Sequence, residues 1–159
     1  MNNEEIEYTT EVKYLGVHLD SKLSWSTHFN KITTRAKQYL MQLMGALSKK
    51  WGPKHKLVRW LYTAIVRPWL SYAALVWSHN INQKNKIKKL TQINRLASMM
   101  MAPARRSTPT KALELINNLQ PLDIYLHCLS LQAYNRHKKE YELNWTGRNP
   151  KYHSLTGHR

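Results

Sequence analysis

Acidic residues are scarce in this chain, with 9 Asp plus Glu against 25 Lys plus Arg in 159 residues and a formal charge of +16. Cysteine occurs once, which excludes an internal disulfide framework. Five glycines and six prolines exclude collagen-like and Gly-rich linker classes. Residues 1–11 are acidic and hold no apolar h-region, so no secretory signal is read there. The longest apolar stretch, 57–77, contains Arg59, Arg67 and Pro68, which argues against a bilayer-spanning helix. What is present is a 42% hydrophobic fraction with 6 Trp and 9 Tyr. That suits one folded domain rather than a disordered basic tail, because it supplies the burial that offsets ordering entropy.

Where the acids fall says more than their number. Glu4, Glu5, Glu7, Glu11 and Asp20 account for five, and none occurs from Ser21 to Leu113. Over that stretch no opposite-sign pairs can support the helices, and like charges repel. A polyanionic partner compensates such a surface, and a nucleic-acid backbone is the commonest one.

Residues 12–19 (V-K-Y-L-G-V-H-L) read as a short β segment closed by Asp20-Ser21, with Gly16 as a bulge or a close approach by another backbone. A helix over 27–50 follows, capped by Ser24 or Ser26, burying Phe29, Ile32, Ala36, Leu40, Leu43 and Leu47. Lys31, Arg35 and Lys49 lie on its opposite face. Gly52-Pro53 separates it from a second helix toward His79, apolar nearly all round and so expected to be largely buried, with a polar stripe of Lys56, Arg59 and Arg67. Pro68 should kink or break it. A third helix over 83–101 buries Ile87, Leu90, Ile93, Ala97, Met100 and Met101 and opposes them with Lys84, Lys88 and Arg95. Arg105 and Arg106 sit in the break after it. Thr108-Pro109 reads as a cap for a short helix, and Pro121 opens the last one, with Leu122, Tyr125, Leu126, Leu129 and Ala133 inward. Residues after 143 read as a flexible basic tail.

The chemistry available is limited. Asp20, Glu114 and Asp123 are too few and too scattered to suggest a two-metal site. The eight His and one Cys show no zinc spacing, and no phosphate loop or nucleophile elbow is present. His127-Cys128 reads as a structural pair with an inert buried thiol. Trp51, Trp60, Trp69 and Trp77 read first as core and second as base-stacking groups, and the run Met99–Met101 as gap-filling core. The basic stripes on three consecutive helices are the best functional feature.

The segment V-K-Y-L-G-V-H-L-D-S-K-L-S-W-S-T-H (12–28) resembles reverse transcriptases of non-LTR, LINE-type retrotransposons, the jockey-like group especially. W-L-Y-T-A-I-V-R-P-W-L-S-Y-A-A-L-V-W (60–77), K-L-T-Q-I-N-R-L-A (89–97), R-R-S-T-P-T-K-A-L (105–113) and L-Q-P-L (119–122) follow in the family's order. The resemblance implies the end of the palm and the thumb/connection region of an RNA-directed DNA polymerase. It implies a primer-grip-like role for Lys13, Tyr14, Leu15 and Gly16, and template–primer contacts from the basic stripes. Ala73-Ala74 and Ala102-Pro103-Ala104 stand where the family more often has Gly.

The expected fold is mainly α, a thumb-like helical bundle preceded by a short β segment. Its organisation is an acidic segment 1–11, an end-of-palm segment 12–22, a helical domain 23–142 and a tail 143–159. The expected function is a thumb/connection fragment that binds template–primer through phosphates and is catalytically incomplete on its own. Catalytic residues and metal ligands are expected to be absent here, with magnesium belonging to a palm. The expected partners are an RNA–DNA hybrid or RNA template–primer and a reverse transcriptase palm, with no membrane, in an intracellular and, by the resemblance, nuclear setting. The alternatives are a stand-alone or co-opted basic helical nucleic-acid-binding protein and a partner-binding helical scaffold.

Overall fold

The computed structural model describes residues 9–47, 55–102 and 104–145. Most of the acidic N-terminal segment, Lys49, Trp51, the Gly52-Pro53 break and the C-terminal tail from 146 lie outside the described residues. The chain is mainly α, as the periodicity predicts.

The single strand expected over 12–19 is a hairpin. β1 (Glu11–Tyr14) and β2 (Val17–Asp20) pair antiparallel, with Lys13 opposite His18 and Tyr14 opposite Val17. Leu15 and Gly16 form the two-residue turn, at φ 45° and 83°. Positive φ at both central residues matches the twist of the flanking strands. Gly16 therefore marks the turn rather than a bulge. A Cβ there would meet a ring carbon of Tyr72 at 3.5 Å, an ordinary contact with a side chain, so the backbone angle is what asks for glycine.

α1 (Ser26–Leu47) buries Phe29, Ile32, Ala36 and Leu40, while Leu43 is half-buried. Its entry is held mainly by Asp20 rather than by a serine. The Asp20 carboxylate accepts from the Ser24 hydroxyl at 2.6 Å, the Trp25 N–H at 3.0 Å and the Ser24 N–H at 3.1 Å. These bonds, the Ser24 hydroxyl first, hold its carboxyl below the ordinary value of 3.8.

The second helix is broken into pieces: α2 (His55–Leu61), a π-helical turn (Tyr62–Val66), α3 (Arg67–Ser71), α4 (Ala74–Trp77) and a 3₁₀ turn (Ser78–Asn80). Pro68 is the cause. Its ring would meet the carbonyl four residues back, and the Arg67 N–H bonds instead to the Tyr62 carbonyl five residues back. Ala73, at φ 53°, makes the second break. Burial follows one stripe, Val58, Tyr62, Val66, Leu70, Ala74 and Trp77, so the segment is not buried all round. Trp60 is a correction to the core reading. It stands 60% exposed beside exposed Leu57, because Val58 and Tyr62 set the inward face of α2.

α5 (Lys84–Met101) is the central helix, and α1, α2, α6 (Thr110–Ile116) and α7 (Leu122–Trp145) all pack on it. Leu90, Ile93, Ala97 and Met101 are buried, Met99 and Met100 half-buried. Asn94 and Ser98 are buried with them. Tyr62 Oη donates to Asn94 Oδ1 at 2.7 Å, and Asn94 Nδ2 donates to Glu114 Oε1 at 2.5 Å. Burial pushes the Tyr62 phenol up to about 12. α6 starts at Thr110 with Pro109 as its boundary, one residue later than the Thr108 cap reading. It ends with Asn118 at φ 48°, the Leu119 N–H bonding the Glu114 carbonyl at 2.8 Å and the Asn118 N–H the Leu115 carbonyl at 3.0 Å. On α7, Leu122 and Leu126 are buried, whereas His127 and Cys128 are exposed. The buried-thiol reading of Cys128 is thus corrected: the inward face of α7 runs through the residues on either side of that pair. Among the described residues no helix is long and apolar enough to cross a membrane.

Candidate nucleic-acid interface

A two-stranded hairpin is marginal alone, and three ties fix this one to the helices. The Tyr72 hydroxyl donates to the Leu15 carbonyl at 2.9 Å, at the tip of the turn. The His18 N–H donates to His28 Nδ1 at 3.3 Å. The Lys31 ammonium on α1 pairs with the Glu11 carboxylate and lies 3.2 Å from His18 Nδ1. That lysine, more than any other group, holds the Glu11 carboxyl below its ordinary value of 4.5.

The result is a groove of about 800 Å³ between the hairpin, α1 and the end of α3. Lys13 and Gly16 line it from the hairpin, Lys31 and Arg35 from α1, and Trp69 and Tyr72 from the far wall. Two separate features of the sequence, the Y-L-G segment and the first basic stripe, therefore meet at one place. Tyr14 and Leu15 are exposed beside it, 64% and 73%, on the open side of the hairpin. Lys31 is committed to Glu11, whereas Lys13 and Arg35 have no side-chain or carbonyl partner among the described residues. His28 lines the groove but is buried, and burial lowers its pKa below the ordinary 6.5.

The remaining basic residues divide by geometry. Arg67 is buried, its guanidinium between the Tyr62 and Tyr125 rings at 5.3 and 4.7 Å and donating to the Gln120 carbonyl at 2.7 Å. Arg59 donates to the Asn117 and Asn118 carbonyls. Arg95 donates to the carbonyls of Thr108 at 2.7 Å and Arg106 at 2.5 Å and to Thr110 Oγ1 at 3.0 Å. These three clamp the chain on either side of α6. Arg67 is corrected as a phosphate ligand because it is buried at 8% exposure with its guanidinium held between two tyrosine rings and on the Gln120 carbonyl, and Arg59 and Arg95 have their guanidinium donors engaged. Lys56, Lys84, Lys88, Arg105 and Arg106 are exposed and apart from the groove. Two lysines that the stripes did not include, Lys37 and Lys89, bridge α1 and α5, to Gln92 and Asn30 at 2.8 and 2.7 Å. Only the crossing of α1 and α5 brings these side chains and their partners together. Among the described residues no three His, Cys, Asp or Glu side chains converge to hold a metal ion.

No family model matches this sequence, and no solved structure matches it. Several curated proteins do. A retrovirus-related Pol polyprotein from type-1 retrotransposable element R1 3 of Nasonia vitripennis is 26% identical over 134 residues, 78% of this chain and 34% of that protein. The corresponding R1 4 polyprotein of Nasonia vitripennis is 25% identical over 140 residues, 88% of this chain and 35% of that protein. The R1 polyprotein of Bradysia coprophila is 23% identical over 124 residues, 78% of this chain and 12% of that protein. The chain thus spans about a third or less of the length of these relatives. Over most of its own length, the chain is similar to Pol polyproteins of R1 retrotransposable elements and is in that sense a retrotransposon-related sequence.

Proposed function

We propose that the chain is the thumb/connection region of a non-LTR retrotransposon RNA-directed DNA polymerase and holds the template–primer duplex through phosphate contacts. The observation that carries this reading is the groove in which Lys13 and Gly16 of the hairpin face Arg35 of α1. The relatives favour an R1-like source over a jockey-like one. An RNA–DNA hybrid must be held without sequence preference, and cations along a shaped groove do that. Lys31 sets the hairpin at its distance from α1 by pairing with Glu11, and Lys13 and Arg35 then neutralise phosphate. Exposed Lys56, Lys84, Lys88, Arg105 and Arg106 extend the attraction at longer range. Among the described residues, three carboxylates are already committed. Asp20 is spent on Ser24 and Trp25, Glu11 on Lys31 and Glu114 on Asn94. No step of nucleotidyl transfer is assigned to this chain, and magnesium belongs to a palm that would act as its partner.

The test is titration of a labelled RNA–DNA hybrid at several salt concentrations. Binding should weaken with salt, and the double variant Lys13→Glu, Arg35→Glu should flatten the log–log slope by roughly two units, about 0.9 per phosphate released. A double variant with the parental slope and affinity removes the groove as the duplex contact.

A further inference from the structure

The groove holds more than a row of phosphate contacts requires. Cations alone neutralise a backbone, yet here Lys13 and Arg35 face an aromatic wall made by Trp69 and Tyr72. That wall is braced from behind: Trp69 stands edge-on to Tyr39 with centroids 5.8 Å apart, and the Tyr72 hydroxyl is tied to the hairpin turn. Aromatic rings beside cations are the arrangement that holds unpaired nucleotides, since every base offers a π-face that stacking inside a duplex covers. His28 adds a polar group at the same place. Its Nδ1 accepts from the His18 N–H, so the neutral ring carries its hydrogen on Nε2, and that nitrogen is buried with no partner. The volume lies within the range of small-ligand sites, about 300–1,000 Å³.

We propose that this groove holds one unpaired nucleotide adjoining the bound duplex, its base against Trp69 and Tyr72 and its phosphate on Lys13 and Arg35. The proposal rests on the duplex-holding reading above and adds a single-stranded element to it.

The experiment uses the full chain and two labelled RNA–DNA hybrids that differ only by a one-nucleotide overhang. The overhang hybrid should bind about tenfold tighter than the blunt one, the scale of one base stacked on an aromatic ring. Tyr72→Leu should bring that ratio to one, and Tyr72→Phe, which keeps the ring and loses the bond to Leu15, should preserve it. Tyr72 is 56% exposed, so neither change opens the core. Equal binding of both hybrids by the parent, with a steep salt slope, overturns the nucleotide site and leaves the duplex reading standing. A ratio that survives Tyr72→Leu overturns its location. Loss of the ratio in the presence of micromolar uridine monophosphate overturns the strand-end assignment in favour of a free nucleotide. Failure of the parent to bind either hybrid overturns both readings.

Discussion

At the scale of single residues, His28 couples the interface to pH. Its ring is packed edge-on against Trp77 at 5.7 Å and accepts from the hairpin backbone, and desolvation, with the nearby His18 second, lowers its pKa below 6.5. The unfolded chain therefore takes up this proton before the folded one. Stability is complete above the unfolded value near 6.5 and is lost as pH falls from there toward the folded value. Asp20, also depressed, adds a second loss that begins nearer its ordinary 3.8. The thermal midpoint should fall between pH 7.5 and 5, and His28→Gln, whose amide oxygen can still accept from His18, should flatten that decline. An unchanged pH profile in the glutamine variant would assign the decline to another group.

At the scale of elements, the hairpin turn and the α3–α4 break both place non-glycine residues at positive φ. Leu15 sits at 45° and Ala73 at 53°. A Cβ in that region costs about 1–2 kcal/mol. Leu15→Asn creates an Asn-Gly turn, the preferred pair for this geometry, and Ala73→Gly removes the other clash. Each should stabilise by about 0.5–1 kcal/mol, net of the freedom gained by the unfolded chain. Gly16→Ala should destabilise, because its φ of 83° disfavours any side chain although a methyl would meet only an ordinary contact with the Tyr72 ring at 3.5 Å. Chemical denaturation of the three variants checks the signs together, and a stabilised Gly16→Ala would remove the turn assignment. The element boundaries show why part of this was illegible in the sequence. The apolar spacing of α1 announces its buried face, since helix and core impose the same period. The hairpin carries its signal in Leu15-Gly16, a pair that resembles a continued strand until the backbone angles are known. The π-helical turn before Pro68 is a local answer to a missing hydrogen bond and has no period of its own.

At the scale of the whole molecule, the basic residues form two populations with opposite duties. Arg59, Arg67 and Arg95 hold loops around α6 to the body built on α5, whereas Lys13 and Arg35, with exposed Lys56, Lys84 and Lys88, remain available to a polyanion. Arg67→Ala takes the 2.7 Å donor from the Gln120 carbonyl, leaving it only the 3.5 Å contact of Asn94 Nδ2, and empties the space between two tyrosine rings. It should cost about 2–3 kcal/mol, or roughly 5–10 °C in Tm for a chain of this size, with the salt slope of hybrid binding unchanged. Arg35→Ala should do the reverse, and a shared phenotype in the two variants would merge the populations.

The sequence by itself determined the helical class, the inward faces of α1, α5 and α7, the position of the proline break and the excess of positive charge. Each of these rests on local spacing or on composition, which need no knowledge of distant residues. Only the tertiary structure decided which cations are free. Arg67 reaches a carbonyl 53 residues away and Arg59 one 58 residues away, in the link between α6 and α7. Nothing in a helical projection distinguishes an arginine that caps a remote loop from one that faces water. The meeting of Lys13 with Arg35 depends likewise on the set of ties between the hairpin and the helices, the Lys31–Glu11 pair, the His18–His28 bond and the Tyr72–Leu15 bond, the last made across 57 residues. The groove is thus a product of long-range closure, while the surface charge that surrounds it is a property of the chain.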